Sequence, residues 1–333
     1  MFDDYGQVAL DDWQEGRFGD MELSVVAPLL PLDGQFGRFP LLDTPVALDA
    51  TVAQVSGLYA VLDAALVPGC EEYLAGSGCR HDCLFRREAR AEWGAVGPWL
   101  VALPPGQRLR RMLFTQTSPA PAWQLWPHFP GLLIATDARF EAVLAHLRRF
   151  TRLKTPDGDW LYFRFWERHV PAALVQSADP LADMLLAPVE DAATTWIVPD
   201  PPGQRALLAR RAADATVKPN RPPVLTSQTL AALDAATAQR QARVEIAGAL
   251  RDRPAAEVAR LLRDPQLLDL REKLIALRVT QPEDRRAAIA LYLQAHEAGC
   301  AAQAWHILTT PGVGAGIRLW RMRDLLGLLE IAT

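Results

Sequence analysis

Cysteine is scarce in this chain, with four thiols (Cys70, Cys79, Cys83 and Cys300) among 333 residues, so no disulfide framework is expected to hold the fold. Basic excess is lacking too: 35 Lys and Arg stand against 39 Asp and Glu, a net charge of -4. The two signs are interspersed, which argues against nucleic acid as a partner, because neutralising phosphates takes a basic face. No run of about 18 apolar residues occurs without a charge or a helix breaker, so no transmembrane helix and no membrane partner are expected. The opening MFDDYGQVALDDWQEGRF is acidic where an export signal carries a basic segment and an apolar run, and a cytoplasmic location is the expectation.

Catalytic motifs are also missing. The nearest approach to a nucleophile elbow, Gly76-Ser77-Gly78, has the wrong frame, and the six histidines form no HExxH pair. Gly312, Gly314 and Gly316 do not follow a strand and lack a Lys-Ser/Thr end, so they read as a helix connection rather than a phosphate cradle. Cys70, Cys79, Cys83 and His81 lack the two short ligand pairs of a structural zinc site. Asp157 and Asp159 lie in a turn, where carboxylates stabilise the loop. The expectation is a protein without metal or cofactor and no enzyme; the alternative is a hydrolase-like enzyme whose site assembles from distant segments.

What is present is apolar: half of the residues are hydrophobic, only 22% are charged and the mean hydropathy is near zero, as in a globular chain with a large core. Residues 1–50 mix Gly and Pro with acidic and apolar positions and read as an irregular or β-containing segment. LYAVLDAAL, VGPWLVAL, GLLIATD and TTWIVPD are short apolar runs edged by turn residues, as buried strands are. ARFEAVLAHLRRFTRL spaces Phe140, Val143, Leu144 and Leu147 as one face of a helix, with Asp137 as its cap. After the turn TPDGD, WLYFRFW reads as a strand with Leu161, Phe163 and Phe165 on one face and Tyr162, Arg164 and Trp166 on the other.

Prolines concentrate in PDPPG and KPNRPP, which predicts a linker over 201–225 between an α/β domain at 51–200 and a helical lobe at 226–333. In that last part Ser227 and Asp264 sit at cap positions, Pro254, Pro265 and Pro282 at helix starts, and Gly299 at a helix stop. The fold class is therefore α+β, a mixed α/β N-terminal lobe followed by an all-helical one.

Six of the ten tryptophans fall between Trp93 and Trp166. Most belong in a core, but Trp123 and Trp126, flanked by prolines in SPAPAWQLWPHFPG, read as exposed interface anchors. In the same reading Arg108, Arg110 and Arg111 are the surface cations to set against them.

Several of these segments, in this order, resemble a family of bacterial type VI secretion adaptors described only as a domain of unknown function. The resemblance covers about residues 55–200. It is carried by Tyr59 and Asp63 in LYAVLDAAL, by Pro98 and Trp99 in GPWLVAL, by LAHLRRFTRLKTPDG, and by Arg164 and Phe165 in YFRFWERHV. Glu167, Arg168, His169 and Val170 stand where that family continues Asp-Pro-Arg-Val, which keeps the negative charge but makes the former cation titratable. The resemblance implies an adaptor without catalytic activity, whose partners are a type VI effector protein and a valine-glycine-repeat spike protein. Tyr59, Asp63, Pro98, Trp99, Arg164, Phe165 and Glu167 are then its structural motif, and Trp123, Trp126, Trp166 and His169 its candidate binding residues.

Overall fold

The computed structural model describes residues 13–33, 43–117, 124–126, 129–213 and 222–327. In chain order the strands are β1 (Gly16–Phe18), β2 (Met21–Val26), β3 (Leu32–Asp33), β4 (Gly57–Asp63), β5 (His81–Cys83), β6 (Pro98–Ala102), β7 (Thr115–Gln116), β8 (Gly131–Thr136), β9 (Arg152–Lys154), β10 (Trp160–Tyr162), β11 (Thr194–Asp200) and β12 (Arg205–Arg211). The helices are α1 (Val46–Val52), α2 (Cys70–Gly76), α3 (Arg87–Trp93), α4 (Arg108–Phe114), α5 (Phe140–Arg148), α6 (His169–Gln176), α7 (Pro180–Leu185), α8 (Ser227–Ala249), α9 (Ala255–Leu261), α10 (Pro265–Ala276), α11 (Pro282–Glu297), α12 (Ala301–Thr309) and α13 (Ala315–Leu325).

Eight strands form one antiparallel sheet in the order β1-β2-β12-β11-β8-β4-β6-β5. The four apolar runs read from sequence supply β4, β6, β8 and β11 at its centre. Along β4 every residue after Gly57 is buried, because β6 and β8 cover both of its edges and side chains pack on both faces. Gly131 opens β8 with φ +144°, and a Cβ there would lie 1.9 Å from the Val61 carbonyl oxygen; only glycine lets β8 close on β4 at this point.

The α+β class expected from the pattern is the observed one, with a mixed sheet-and-helix region followed by α8–α13. The boundaries differ. The predicted linker at 201–225 contains β12, paired with β2 and β11 in the sheet, and Pro201 and Pro202 belong to the tight β11–β12 turn closed by Gln204 N–H on the Pro201 carbonyl. Proline marks a hairpin here rather than a domain boundary. Strands β1 and β2 likewise bring part of the N-terminal segment into the sheet.

Compact units span residues 11–237 and 238–333, so the division falls inside α8. The first unit has one core, built around Val61, Leu100, Leu133, Ile197 and Leu207, against which Leu230 and Leu233 of α8 pack. The second has its own, with Ile246, Leu270, Ile289, Tyr292, Leu308 and Met322. A buried polar cluster crosses that core. Glu245 accepts from Arg271 Nε at 3.0 Å and from Arg285 Nε and Nη2 at 2.9 and 2.5 Å, and Arg285 also donates to the Val279 and Thr280 carbonyls.

Helix ends follow the sequence in the second unit. Asp264 caps α10 through Gln266 N–H, Pro265 and Pro282 occupy first helical turns, and Gly299 ends α11 with φ +75°. In the first unit α5 buries Phe140, Val143, Leu144 and Leu147 as its periodicity predicts, but it stops at Arg148. The residues read as its continuation, Arg152–Lys154, form β9 instead. Asp137 is not its cap; it accepts the Ser56 N–H at 2.7 Å and ties β8 to the start of β4. The run WLYFRFW is extended only over Trp160–Tyr162, after which Phe163, Phe165 and Trp166 turn into the core.

Candidate functional site

Of the family-like residues, Asp63, Pro98 and Trp99 meet where β4 ends and β6 begins, Tyr59 lies toward the other end of β4, and most of them hold the fold. Tyr59 Oη donates to the Ala138 carbonyl at 2.7 Å, and Trp99 Nε1 to the Gly94 carbonyl at 2.9 Å; both groups are buried and satisfied. Pro98 pairs with Asp63 in the β4–β6 register, where the neighbouring Ala64 N–H bonds the Gly97 carbonyl. Phe165 is buried against Trp166 and Trp196.

Asp63 is the buried charge of the group. Its Oδ1 caps the short 3-10 turn Ala64–Leu66 through Ala65 N–H at 3.1 Å, and its Oδ2 accepts from Arg164 Nη2 at 2.7 Å. Its side chain is 3% exposed against 47% for Arg164, so the guanidinium covers the carboxylate from the solvent side. Burial pushes the Asp63 carboxyl above the usual range and outweighs the pull of Arg164. The buried Trp166 indole N–H helps hold it down without closing a hydrogen bond of good geometry.

Arg164 passes the charge along the surface. Its Nε meets Glu167 Oε1 at 2.5 Å, Glu167 Oε2 lies 3.7 Å from His169 Nε2, and that same nitrogen is 3.2 Å from Thr237 Oγ1. Beside it Arg168 binds fully buried Asp200 at 2.8 Å, and Arg205 binds the other Asp200 oxygen at 3.1 Å. Glu167 thus takes the arginine as the resemblance implies, while His169, most of its side chain enclosed, faces Glu167 and Thr237.

Three candidate binding residues need correcting or leaving aside. Trp126 is buried against Phe114, so the prolines around it do not present it to a partner. Trp166 is buried against Phe85 and Phe165, and Trp123 lies outside the described residues. Arg110 is no surface cation either: it is buried, bonded to Thr44 Oγ1 and the Leu103 carbonyl and 3.1 Å from Asp43.

The exposed apolar side chains lie elsewhere at this end of the sheet. Leu66 ends the Asp63-capped turn, and Trp93 precedes and Val96 ends the adjoining 3-10 turn Gly94–Val96; all three are exposed. Tyr162 reaches them through Phe85, whose ring is 5.3 Å from the Tyr162 ring and packs so closely on Gly97 that a Cβ there would come within 2.7 Å of it. With Tyr162 come its strand neighbours: Trp160, Leu161 and Tyr162 are 52%, 45% and 48% exposed, so β10 shows apolar groups on both faces. Arg152 and Lys154 of β9 stand over the Trp160 ring at 4.9 and 5.4 Å from its centroid.

Sequence reasoning passed over Leu66, Val96, Trp160 and Leu161 as surface residues, since apolar positions in a strand pattern read as core. The signal that could have found β10 is the hairpin RLK-TPDGD-WLY, five turn residues between two short runs of three.

Burial pushes the Cys70 thiol up to about 12 and raises Cys79 and Cys83, which makes these three poor nucleophiles. Among the described residues no group of three or more His, Cys, Asp and Glu gathers as a metal ion would need. This region shows solvent-exposed apolar side chains together with the cations Arg152 and Lys154 beside Trp160.

No curated protein and no solved structure matches this chain. Residues 58–182, from β4 into α7 and so including the Asp63–Arg164 pair and the β9–β10 hairpin, match the model of the family described as "Domain of unknown function (DUF4123)".

Proposed function

We propose that this chain is an adaptor that binds a type VI secretion effector in the cytoplasm and loads it onto the tip of a valine-glycine-repeat spike protein. The observation that carries the reading is the set of exposed apolar side chains Leu66, Val96, Trp160, Leu161 and Tyr162 inside the family-matched span. Large apolar side chains gathered on a surface cost solubility and mark sites for other proteins. The matched family's association with type VI secretion supports naming the partners. So does the resemblance carried by Tyr59, Asp63, Trp99 and Arg164.

The test is binding of the purified chain to the products of the genes beside its own, followed by calorimetry. The expected result is a stable complex with an effector and with the spike's C-terminal end, weakened at least about tenfold, or ~1.4 kcal/mol, by Leu66→Asp with Val96→Asp. Both positions are exposed, so the melting temperature should stay where it is. A chain that binds neither gene product, or a double variant that binds them like the parent, overturns the reading.

A further inference from the structure

Among the described residues the β9–β10 hairpin has one paired edge and one unpaired edge. Its register pairs Trp160 with Lys154, Leu161 with Leu153 and Tyr162 with Arg152. Hydrogen bonds from Thr155 N–H to the Asp159 carbonyl (2.8 Å) and from Phe163 N–H to the Thr151 carbonyl (3.1 Å) fix which pairs face inward. In an antiparallel ladder hydrogen-bonded and non-hydrogen-bonded pairs alternate, so Leu153 and Leu161 face each other while residues 152, 154, 160 and 162 turn their N–H and C=O groups outward. The β9 side bears this out, since the Lys154 carbonyl accepts Leu225 N–H at 2.9 Å and bridges Val224. On the β10 side no described strand pairs with Trp160 or Tyr162.

Sheet edges are ordinarily blunted by charge, proline or a covering segment, because their unpaired groups template another strand. This edge carries Trp160, Leu161 and Tyr162, all about half exposed. Side chains alternate across a strand, so Trp160 and Tyr162 share one face with Arg152 and Lys154, and Leu161 projects from the other. The first face is aromatic and cationic, the second apolar. A second copy of this hairpin would bring two more cations onto the first face, whereas an acidic strand would neutralise the pair already there.

We propose that the outer edge of β10 accepts an extended segment of a partner protein as a third strand. Acidic side chains of that segment lie over Trp160, Arg152 and Lys154, and its alternate, apolar ones beside Leu161. The main-chain groups of Trp160 and Tyr162 supply the affinity, and the two faces set which sequences fit. This rests on the reading of the chain as a protein-binding adaptor and states how its client is gripped.

The probe is a capped octapeptide, Val-Glu repeated four times, added to the full chain, with amide hydrogen exchange read residue by residue. At ten times its Kd the peptide should slow exchange at the Trp160 and Tyr162 amides about tenfold and leave the already bonded Phe163 amide unchanged. Tyr162→Pro removes an outward N–H together with the ring, so compared with Tyr162→Ala, which removes the ring alone, it should weaken binding at least about tenfold, or ~1.4 kcal/mol, with Phe163 still protected. Should that proline loosen the hairpin, peptides N-methylated on one or the other set of alternate amides give the same answer with the parent protein, one set binding and the other not.

Four results would overturn the proposal. They are equal binding by both methylated sets, equal binding by a Val-Lys repeat, a dT oligonucleotide that protects these amides where the acidic peptide does not, and dimerisation through this edge. A client that binds the parent and Tyr162→Pro alike sinks the strand while sparing the adaptor reading. Peptide binding as described, with no client among the neighbouring gene products, does the reverse.

Discussion

At the scale of single residues the chain holds two buried carboxylates whose pH responses run in opposite directions. For Glu245 burial raises the carboxyl, but the hydrogen bonds of Arg285 and Arg271 outweigh it and hold it below its ordinary 4.5. A depressed folded value means stability that is present above the unfolded value and is lost as the pH falls through the folded one. Glu245→Gln should therefore destabilise by about 3–5 kcal/mol at pH 7, because two buried guanidiniums lose their counter-charge, and the deficit should shrink in acid as the parent itself loses the pair. Urea melts of both proteins at pH 7 and pH 3.5 check this; an equal deficit at both would count against it.

Asp63 is raised, not lowered, so its charge costs stability once the pH rises through that raised value. Arg164→Ala leaves this carboxylate buried with the Ala65 N–H and the poorly aligned Trp166 indole N–H, and the loss should be about 1–3 kcal/mol at pH 7. It should shrink as the pH falls through that raised value, where Asp63 takes up a proton and needs no cation. A deficit that grows in acid would show that Arg164 serves mainly Glu167.

Among elements, the closure of β8 on β4 is the least forgiving contact. Gly131→Ala would place a methyl within 1.9 Å of the Val61 carbonyl oxygen at φ +144°, so one of the two strands must move. Both a clash and a strained backbone follow, and a loss of about 3 kcal/mol or more is expected. Thermal melts check it, with exposed Gly158→Ala in the TPDGD turn, φ +92° and free of contacts, as the control that carries strain alone. Wild-type-like stability of Gly131→Ala would mean that β4 and β8 are not held as described.

Helices were the easier elements to read. Asp264, Pro265 and Gly299 act locally, through one hydrogen bond or one dihedral angle, so their spelling in the sequence suffices. The hairpin was harder, since RLK continues the helical period of α5 and only the register with Trp160–Tyr162 makes it β9.

For the whole molecule the balanced charge predicts how a client is held. Backbone hydrogen bonds and apolar contact should dominate, and the exposed cations Arg152 and Lys154 should add ~0–1 kcal/mol each, screened beyond about 8–10 Å at physiological salt. Raising salt from 0.1 to 0.5 M should therefore weaken client binding less than about tenfold, which is ~1.4 kcal/mol. Trp160→Ala with Leu161→Ala should weaken it more than that, since burying one large apolar side chain contributes ~1.5–3 kcal/mol. Titrations of parent and variant at the two salt concentrations decide it: a steep salt response with no effect of the double variant would make the interface electrostatic.

By itself the sequence determined what depends on local chemistry and on totals. The apolar runs of β4, β6, β8 and β11, the buried face of α5, the Asp264 cap, the Gly299 stop and the α+β class were written in spacing and composition, whereas Ser227, read as a cap, is the first residue of α8 and Thr226 Oγ1 takes the Thr229 N–H instead. The contact of Arg164 with a carboxylate also belongs here, because a polar group set among apolar strands needs a partner. Only the tertiary structure decided which apolar residues stay outside. Trp126, wrapped in prolines, is buried because Phe114 packs on it, while Trp160–Tyr162, patterned like a core strand, remains exposed. Both segments carry tryptophan, and burial is a property of what the rest of the chain lays against each. The prolines at 199–202 teach the same lesson: one dihedral restraint serves a linker or a hairpin, and it is the pairing of β12 with its neighbour β11 and with β2, far from it in sequence, that chose the hairpin.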